Sequence, residues 1–316
     1  MLLTTDRSSP LPRAPRGSVV SIGVFDGVHL GHQKILERNL ARSRELGARA
    51  TVVTFREHPK RVLLGRAPRT LTSLEHRLEL FRRAGIEHTV ALTFDEELRS
   101  IEAGVFVRDF LIGELDAQAF VLGFDSKFGR ERAGTPEFLA ALGLDVEVVP
   151  QVQVGDRAVS STAIREGVEL GDLVGAARML GRPVAVYGEV VPGDHLGREL
   201  GFPTANLDLH HELRPPTGVW ACRARVVRYA PEPIVGRALE AVANIGFRPT
   251  LGGQRPDVAR VEVHLLDFEG DLYGQFIELE FAAFLREEQR FPSLDALKVQ
   301  IALDITKART ILRSKG

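Results

Sequence analysis

At 316 residues the chain is longer than one hydrophobic core usually serves, so two domains are expected. Its 41 Lys and Arg against 42 Asp and Glu leave a formal charge of -1, which gives no bulk attraction to nucleic acid or to an anionic membrane, so any anion site has to be local. Cys222 is the single cysteine, which excludes an internal disulfide and a thiolate-rich metal site and fits a reducing compartment, the cytoplasm.

Residues 1–17 are rich in Pro, Arg and Ser, lack the apolar run of a signal peptide, and read as a flexible tail. No later segment reaches the roughly 20 apolar residues of a membrane span. From Ser18 to about Leu180, β-branched runs (SVVSIGV, ATVVTF, HTVALTF, AFVLGF) alternate with helical patterns at Gly31–Leu46, Leu74–Ala84 and Val105–Leu115. Such near-continuous apolar strands between helices predict a doubly wound α/β domain on a parallel sheet. A helical stretch through Leu170–Leu180 stops at Gly181 with Pro183 behind it, which places a domain boundary near residue 182 and gives domains 18–182 and 183–316. Beyond it, VAVYGEVV, VWACRARVV, EAVANIGF, RVEVHLLDF and FIELEFAAF follow one another with Gly and Pro breaks, as in an antiparallel barrel or sandwich. One helix closes the chain, with Ser293 as its cap and Leu294, Leu297, Ile301, Ile305 and Ile311 as an apolar stripe.

The first strand runs into IGVFDGVHLGHQ, where Gly23, Gly27 and Gly31 permit close backbone approach to a ligand, and His29 and His32 open a helix. The i, i+3 spacing puts both imidazoles beside the free N–H groups and positive dipole end of that helix, so donors converge where a phosphate would lie. The glycines are four apart, and neither G-x-G-x-x-G nor G-x-x-x-x-G-K-[ST] occurs, which disfavours the common nucleotide folds. A tight turn with incidental histidines is the bland alternative; a zinc pair lacks a third ligand. Further on, Val159-Ser160-Ser161-Thr162-Ala163-Ile164-Arg165 sets three hydroxyls and a guanidinium about one helical turn. Taken alone this is an ordinary helix cap; taken with the first motif it offers hydroxyl, N–H and Arg165 donors suited to a polyphosphate.

In the second half, the segment from Gly188 through Gly193, Gly197, Arg198, Gly201, Phe202 and Pro203 to Thr204 and Asn206 is punctuated by glycine. In extended chain Thr204 and Asn206 project on one face, two short oxygen ligands able to share a cation, although turn chemistry explains the same residues. In RVEVHLLDF, Val261, Val263 and Leu265 share one face, and Glu262, His264 and Leu266 the other. Glu262 is there an exposed strand glutamate or a general base.

His-x-Gly-His with Ser-Ser-Thr-x-x-Arg resembles the nucleotidylyltransferase superfamily. VFDGVHLGHQ with VVTFxxHP and VLGxDxxFG, followed by LGFPTANL, GVWA, ANIGFRPTLGG, VEVHLLDFEGDLYG and FLREEQRF, resembles the bacterial bifunctional riboflavin kinase and FMN adenylyltransferase family, also named FAD synthetase, over nearly all of residues 18–313. The resemblance implies that the second domain is a six-stranded riboflavin kinase-like barrel that makes FMN from ATP and riboflavin. It implies that the first joins ATP and FMN into FAD with release of pyrophosphate, Mg2+ serving both. His29 and His32 would then stabilise phosphate charge within a cradle of Gly23, Phe25, Asp26, Gly27 and Gly31, and Ser160, Ser161, Thr162 and Arg165 would hold the leaving end. His58, Asp125 and Phe128 would belong to the FMN loops. In the kinase, Thr204 and Asn206 would hold Mg2+ and ATP phosphate, Glu262 would be the base, Arg286 and Phe291 would lie beside the flavin, and Gly193, Arg198, Gly201, Phe202, Pro203 and Asn244 would complete the site.

Two stretches depart from the family pattern. Phe55-Arg56-Glu57-His58-Pro59 lacks the usual first Pro, and Asp125-Ser126-Lys127-Phe128-Gly129 lacks an aromatic. Lys127 and Arg130 are replacement cations there or solvated surface charges. The departures keep open a kinase with a degraded nucleotide-binding first domain; a flavin-sequestering protein without turnover has no use for a metal site plus a base. Oligomeric state is not legible.

Overall fold

A computed structural model describes residues 1–4, 16–65, 68–193, 197, 200–210, 212–229, 233–247 and 259–314. The chain divides into two compact units, Met1–Ile164 with Met179–Gly181, and Arg165–Arg178 with Arg182–Gly316. The segment Arg165–Arg178 thus groups with the second unit, while Gly181 and Arg182 fall on either side of the division.

The first unit holds a six-stranded parallel sheet in the order β1 (Leu2–Thr4), β4 (His88–Leu92), β3 (Arg49–Phe55), β2 (Ser18–Ile22), β5 (Ala117–Gly123), β6 (Asp145–Val149). Alternate residues of the same strands feed opposite cores: Val20, Ile22, Val53, Phe120 and Leu122 pack on one side, and Val19, Ala50, Val52 and Val121 on the other. That is why these strands read as continuous apolar runs. One correction concerns the opening residues. Leu2, Leu3 and Thr4 are not tail but the edge strand, in register with His88, Thr89 and Val90, because an unpaired parallel edge accepts any short extended segment. Residues 5–15 lie outside the described residues. β2 is flanked by β3 on one side and β5 on the other, so the chain leaves the middle of the sheet at a topological switch point, where the carboxyl ends of parallel strands open a crevice.

A two-stranded ribbon, β7 (Gln153–Val154) and β8 (Arg157–Ala158), precedes the helix Ser161–Leu170. In the second unit, β9 (Ala185–Val191), β10 (Ala205–Asp208), β11 (Gly218–Tyr229), β13 (Leu239–Gly246), β14 (Arg260–Leu265) and β15 (Phe276–Arg286) pair antiparallel in the order β11-β13-β14-β10-β9-β15. β11 pairs again with β15 and closes the barrel; β12 (Pro233–Val235) extends it beside β11. Closure removes the sheet edges. The closing helix Leu294–Ser314 lies on the outer face against Val219, Ala221 and Leu285, and Ser293 Oγ accepts the Ala296 N–H at 3.2 Å as expected. The apolar stripe read from sequence is rotated, however. Asp304, Ala308 and Leu312 form the buried seam, Leu297, Ile301, Ile305 and Ile311 flank it, and Leu294 is 57 % exposed. An acid sits in the seam because it has a cation to meet.

Candidate active sites

In the first unit, the residues between β2 and the helix Leu30–Leu46 make a loop whose shape is forced. Phe25 (φ 52°) and Val28 (φ 38°) are left-handed, a conformation that non-glycine side chains resist, and Gly27 (φ 83°) shares it. A Cβ on Gly27 would lie 2.7 Å from Leu71 Cδ1, so glycine is required twice over. Several anchors offset the strain. The Phe25 ring is buried edge-on against Phe81 at 5.5 Å. Asp26, also buried, accepts the Leu71 and Thr72 N–H groups at 2.8 and 3.1 Å, and Thr72 Oγ1 accepts the Gly27 N–H at 2.9 Å. Gln33 donates to the Val28 and Leu180 carbonyls at 2.8 and 2.7 Å. The side chains of Phe25 and Asp26 therefore face inward and shape the loop; they do not present themselves to a phosphate.

His29 caps the helix, and its Nδ1 accepts the His32 N–H at 3.3 Å. That contact leaves the proton of a neutral His29 on Nε2, a donor. The two imidazoles stack with centroids 3.6 Å apart at 14°, so the i, i+3 reading holds, and a side chain at Gly31 would come within 3.2 Å of the His29 ring. The second motif is brought onto the first: Ser161 Oγ donates to the Asp26 carbonyl at 2.9 Å. Ser160 caps its helix by accepting the Ala163 N–H at 3.2 Å, Thr162 is exposed, and Arg165 follows one turn later. Ser160 is thus the helix cap, and Ser161 beside it meets the histidine loop.

The other candidates also sit at carboxyl ends of strands. His58 follows β3 and its Nδ1 accepts the Lys60 N–H at 3.2 Å; Asp125 follows β5 and is exposed. Phe128 is buried against Phe106 at 5.9 Å and pairs by backbone with Gly134, so it anchors the 124–134 loop from below. Arg130 is paired with Glu102 at 2.7 Å on the surface, as a solvated charge would be.

In the barrel, strand register aligns the candidates. Val191, Asn206, Glu262, Asn244, Val219 and Arg286 are successive cross-strand partners, one row running over β9, β10, β14, β13, β11 and β15. Directly opposed residues share a face at about 5 Å, so Asn206, Glu262 and Asn244 stand side by side. Val261, Val263 and Leu265 turn into the barrel, which sends Glu262 outward as the alternation predicted. Asn206 Oδ1 is buried without a hydrogen-bond partner among the described residues. The glycine segment crosses Asn206 and Thr204: a Cβ on Gly193 would lie 2.0 Å from Asn206 Nδ2, and one on Gly197 would lie 3.0 Å from Thr204 Oγ1. Phe202 donates its N–H to the Gly197 carbonyl at 2.7 Å, and Gly201 takes φ 86°. His264 Nδ1 meets the Pro203 carbonyl at 2.7 Å and its ring meets Phe202, a structural role. Arg198 lies outside the described residues. A small cleft of about 80 Å3 opens beside Thr204, floored by Val190, Ala205, Val263 and Leu265.

Two acids escaped the sequence reading. Asp304 holds Arg286 through Nη2 at 2.8 Å and Nε at 3.0 and 3.1 Å, with Gln300 on the same carboxylate at 2.9 Å and Phe291 under the guanidinium at 5.6 Å. Glu288 accepts from Asn244 Nδ2 at 3.3 Å. The signal for Asp304 was an acid on an apolar helical face; for Glu288 the sequence carried only the FLREEQRF run.

A family model described as FAD synthetase matches residues 11–163, and one described as riboflavin kinase matches residues 180–312. Proteins named bifunctional riboflavin kinase/FMN adenylyltransferase are 36 % identical in Haemophilus influenzae (96 % of each chain covered) and 40 % identical in Pseudomonas fluorescens (94 % of this chain, 93 % of that one). The chain belongs to this family. A crystal structure described as a macrolide-efflux protein from Streptococcus pneumoniae superposes with a TM-score of 0.79 at 30 % identity, over 98 % of this chain and 99 % of that one. Among the described residues, no helix is long and apolar enough to cross a membrane. The FAD synthetase match lies within the first unit and nearly all of the riboflavin kinase match within the second.

Proposed function

We infer that the chain is a two-activity enzyme of flavin-nucleotide synthesis, a kinase and a nucleotidyltransferase in one polypeptide. The barrel phosphorylates riboflavin to FMN; the α/β unit adenylylates FMN to FAD. The observation that carries the kinase assignment is the single cross-strand row Asn206–Glu262–Asn244, with Gly193 and Gly197 packed against the metal-ligand candidates.

In the barrel, the riboflavin 5′-hydroxyl attacks the γ-phosphorus of ATP, Glu262 takes the hydroxyl proton, a new O–P bond forms, and the β–γ bridging bond breaks to release ADP. Thr204 Oγ1 and Asn206 Oδ1 would hold Mg2+; the buried, unsatisfied Asn206 oxygen fits a hard cation, and two protein oxygens suffice where phosphates complete the shell. The cation, when bound, neutralises charge on the transferring phosphate. Arg286, immobilised by Asp304 and Phe291, presents a fixed cationic edge for the flavin side of the site. In the α/β unit, an FMN phosphate oxygen attacks the α-phosphorus, the α–β bridging bond breaks, and pyrophosphate leaves. No proton has to move. His29 Nε2–H, His32 and the helix N–H groups stabilise the charge that develops, and Ser160, Ser161 and Thr162 receive the leaving pyrophosphate. His58 and Asp125 border the FMN side. The bacterial relatives and the single buried cysteine support a cytoplasmic setting.

The test is chromatographic assay of the purified protein with Mg2+-ATP, supplied in parallel with riboflavin and with FMN. FAD from both substrates is the expected result. FMN from riboflavin, with FAD from neither, would leave the kinase standing and overturn adenylyl transfer in residues 18–182.

A further inference from the structure

The helix Leu74–Ala84 carries a cation that belongs to neither motif. Arg77 is 3 % exposed, and its guanidinium is directed at the carboxyl edge of the sheet. Nη1 donates to the Val24 carbonyl at 2.6 Å and to Thr54 Oγ1 at 3.1 Å, Nη2 donates to the Phe55 carbonyl at 2.9 Å, and Nε reaches the Ser73 carbonyl at 3.4 Å. Thr54 Oγ1 in turn donates to the Val24 carbonyl at 3.2 Å. Val24 opens the histidine loop, and Phe55 opens the loop that leads to His58. One planar fork therefore joins two ligand loops that arise from different strands. A guanidinium is suited to this by its rigid, divergent donors; an ammonium would reach one or two of these acceptors and not all of them.

Two features give the fork a purpose beyond filling space. The histidine loop is strained at Phe25 and Val28, and its other anchors grip residues 25 to 28 and leave the Val24 carbonyl to Thr54 and Arg77. The 55–59 loop leaves β3 at Phe55, where the Arg56 N–H is held by the Leu92 carbonyl at 2.9 Å and the Phe55 carbonyl by Arg77 Nη2, so the fork fixes the entry of this loop as well. A buried positive charge directly behind the loop also favours a polyanion in front of it.

We propose that Arg77 is a positioning residue for adenylyl transfer, locking the histidine loop and the 55–59 loop into one geometry for the ATP phosphates. The proposal rests on the reading that residues 23–32 hold those phosphates. Full-length Arg77→Lys and His29→Asn proteins are assayed for FAD formation with ATP and FMN varied separately, and for riboflavin phosphorylation as an internal control on the other unit. For Arg77→Lys the expected result is an ATP KM raised about tenfold, with the FMN KM and the kinase rate within about twofold of wild type, the size expected when a loop misplaces a reacting group without dismantling the site. A fall in kcat with both KM values unchanged would mean a reduced fraction of folded sites and a purely structural Arg77, and would overturn the proposal; so would unchanged kinetics. His29→Asn separates the two levels. If it leaves FAD formation intact, the phosphate-loop reading fails; if it abolishes FAD formation while Arg77→Lys changes nothing, only the positioning role fails.

Discussion

The site proposed in the α/β unit rests on a loop held in an unfavourable conformation by packed side chains, whereas the one proposed in the barrel rests on strand pairing. In the first, Asp26, Thr72, Gln33 and Phe81 shape residues 25–28 so that His29 and His32 project at the end of β2. In the second, Asn206, Glu262 and Asn244 need no such buttress, because neighbouring strands set them abreast by register alone. A loop site is therefore sensitive to residues well outside its motif, while a register site is sensitive mainly to its own members and to what crosses over them.

Removing the proposed base is the most direct way to break the barrel site alone. Glu262→Gln is expected to lower riboflavin phosphorylation by roughly 10²–10⁴-fold, the usual range for a general base, and to leave FAD formation from supplied FMN intact. Retention of kinase turnover within a few-fold would remove Glu262 from that role. Asp304→Asn tests how far the row depends on a buried support: Arg286 would lose its counter-charge, and the barrel is expected to lose about 3 kcal/mol in urea titration, with the α/β unit unaffected. An unchanged midpoint would show that Arg286 finds another partner.

Adding one methyl group to each site sharpens the contrast. Gly193→Ala places Cβ on Asn206 and should cost about 1–3 kcal/mol of overpacking, seen as roughly 5- to 160-fold in kinase kcat/KM. Gly27→Ala meets both Leu71 and a left-handed φ, so it should lower the stability of the α/β unit as well as FAD formation. If Gly193→Ala also unfolded the barrel, or Gly27→Ala spared stability, the distinction between the two construction modes would not hold.

The smallest effect near neutrality comes from pH. His88, buried on β4 with Nε2 3.1 Å from Thr4 Oγ1, is pushed down to about 4 from 6.5, first by burial and second by Arg49. The unfolded chain takes up a proton below 6.5 that the folded chain refuses until about pH 4, so stability is complete above 6.5 and falls as pH drops through that window. The loss should be about 1 kcal/mol at pH 6 and on the order of 3 kcal/mol near pH 4. His88→Gln should flatten the pH dependence of the α/β unit's urea midpoint; a slope unchanged by that substitution would assign it to other groups.

The sequence by itself determined the class of each half, most of the longer strands, the Ser293 cap of the closing helix and the motifs from which both sites are proposed, since periodicity, glycine placement and short motifs are local properties that survive without a third dimension. It also carried the inward and outward alternation around Glu262. What it could not carry was anything set by partners distant along the chain. Only the tertiary structure decided that Leu2–Thr4 is a sheet edge, that Phe25 and Asp26 turn inward, that Asp304 belongs in an apolar seam opposite Arg286, and that Arg77 ties Val24 to Phe55. In each case a polar or strained group is stable only because a specific counterpart, tens of residues away or more in most cases, satisfies it, and no local pattern records where that counterpart will be.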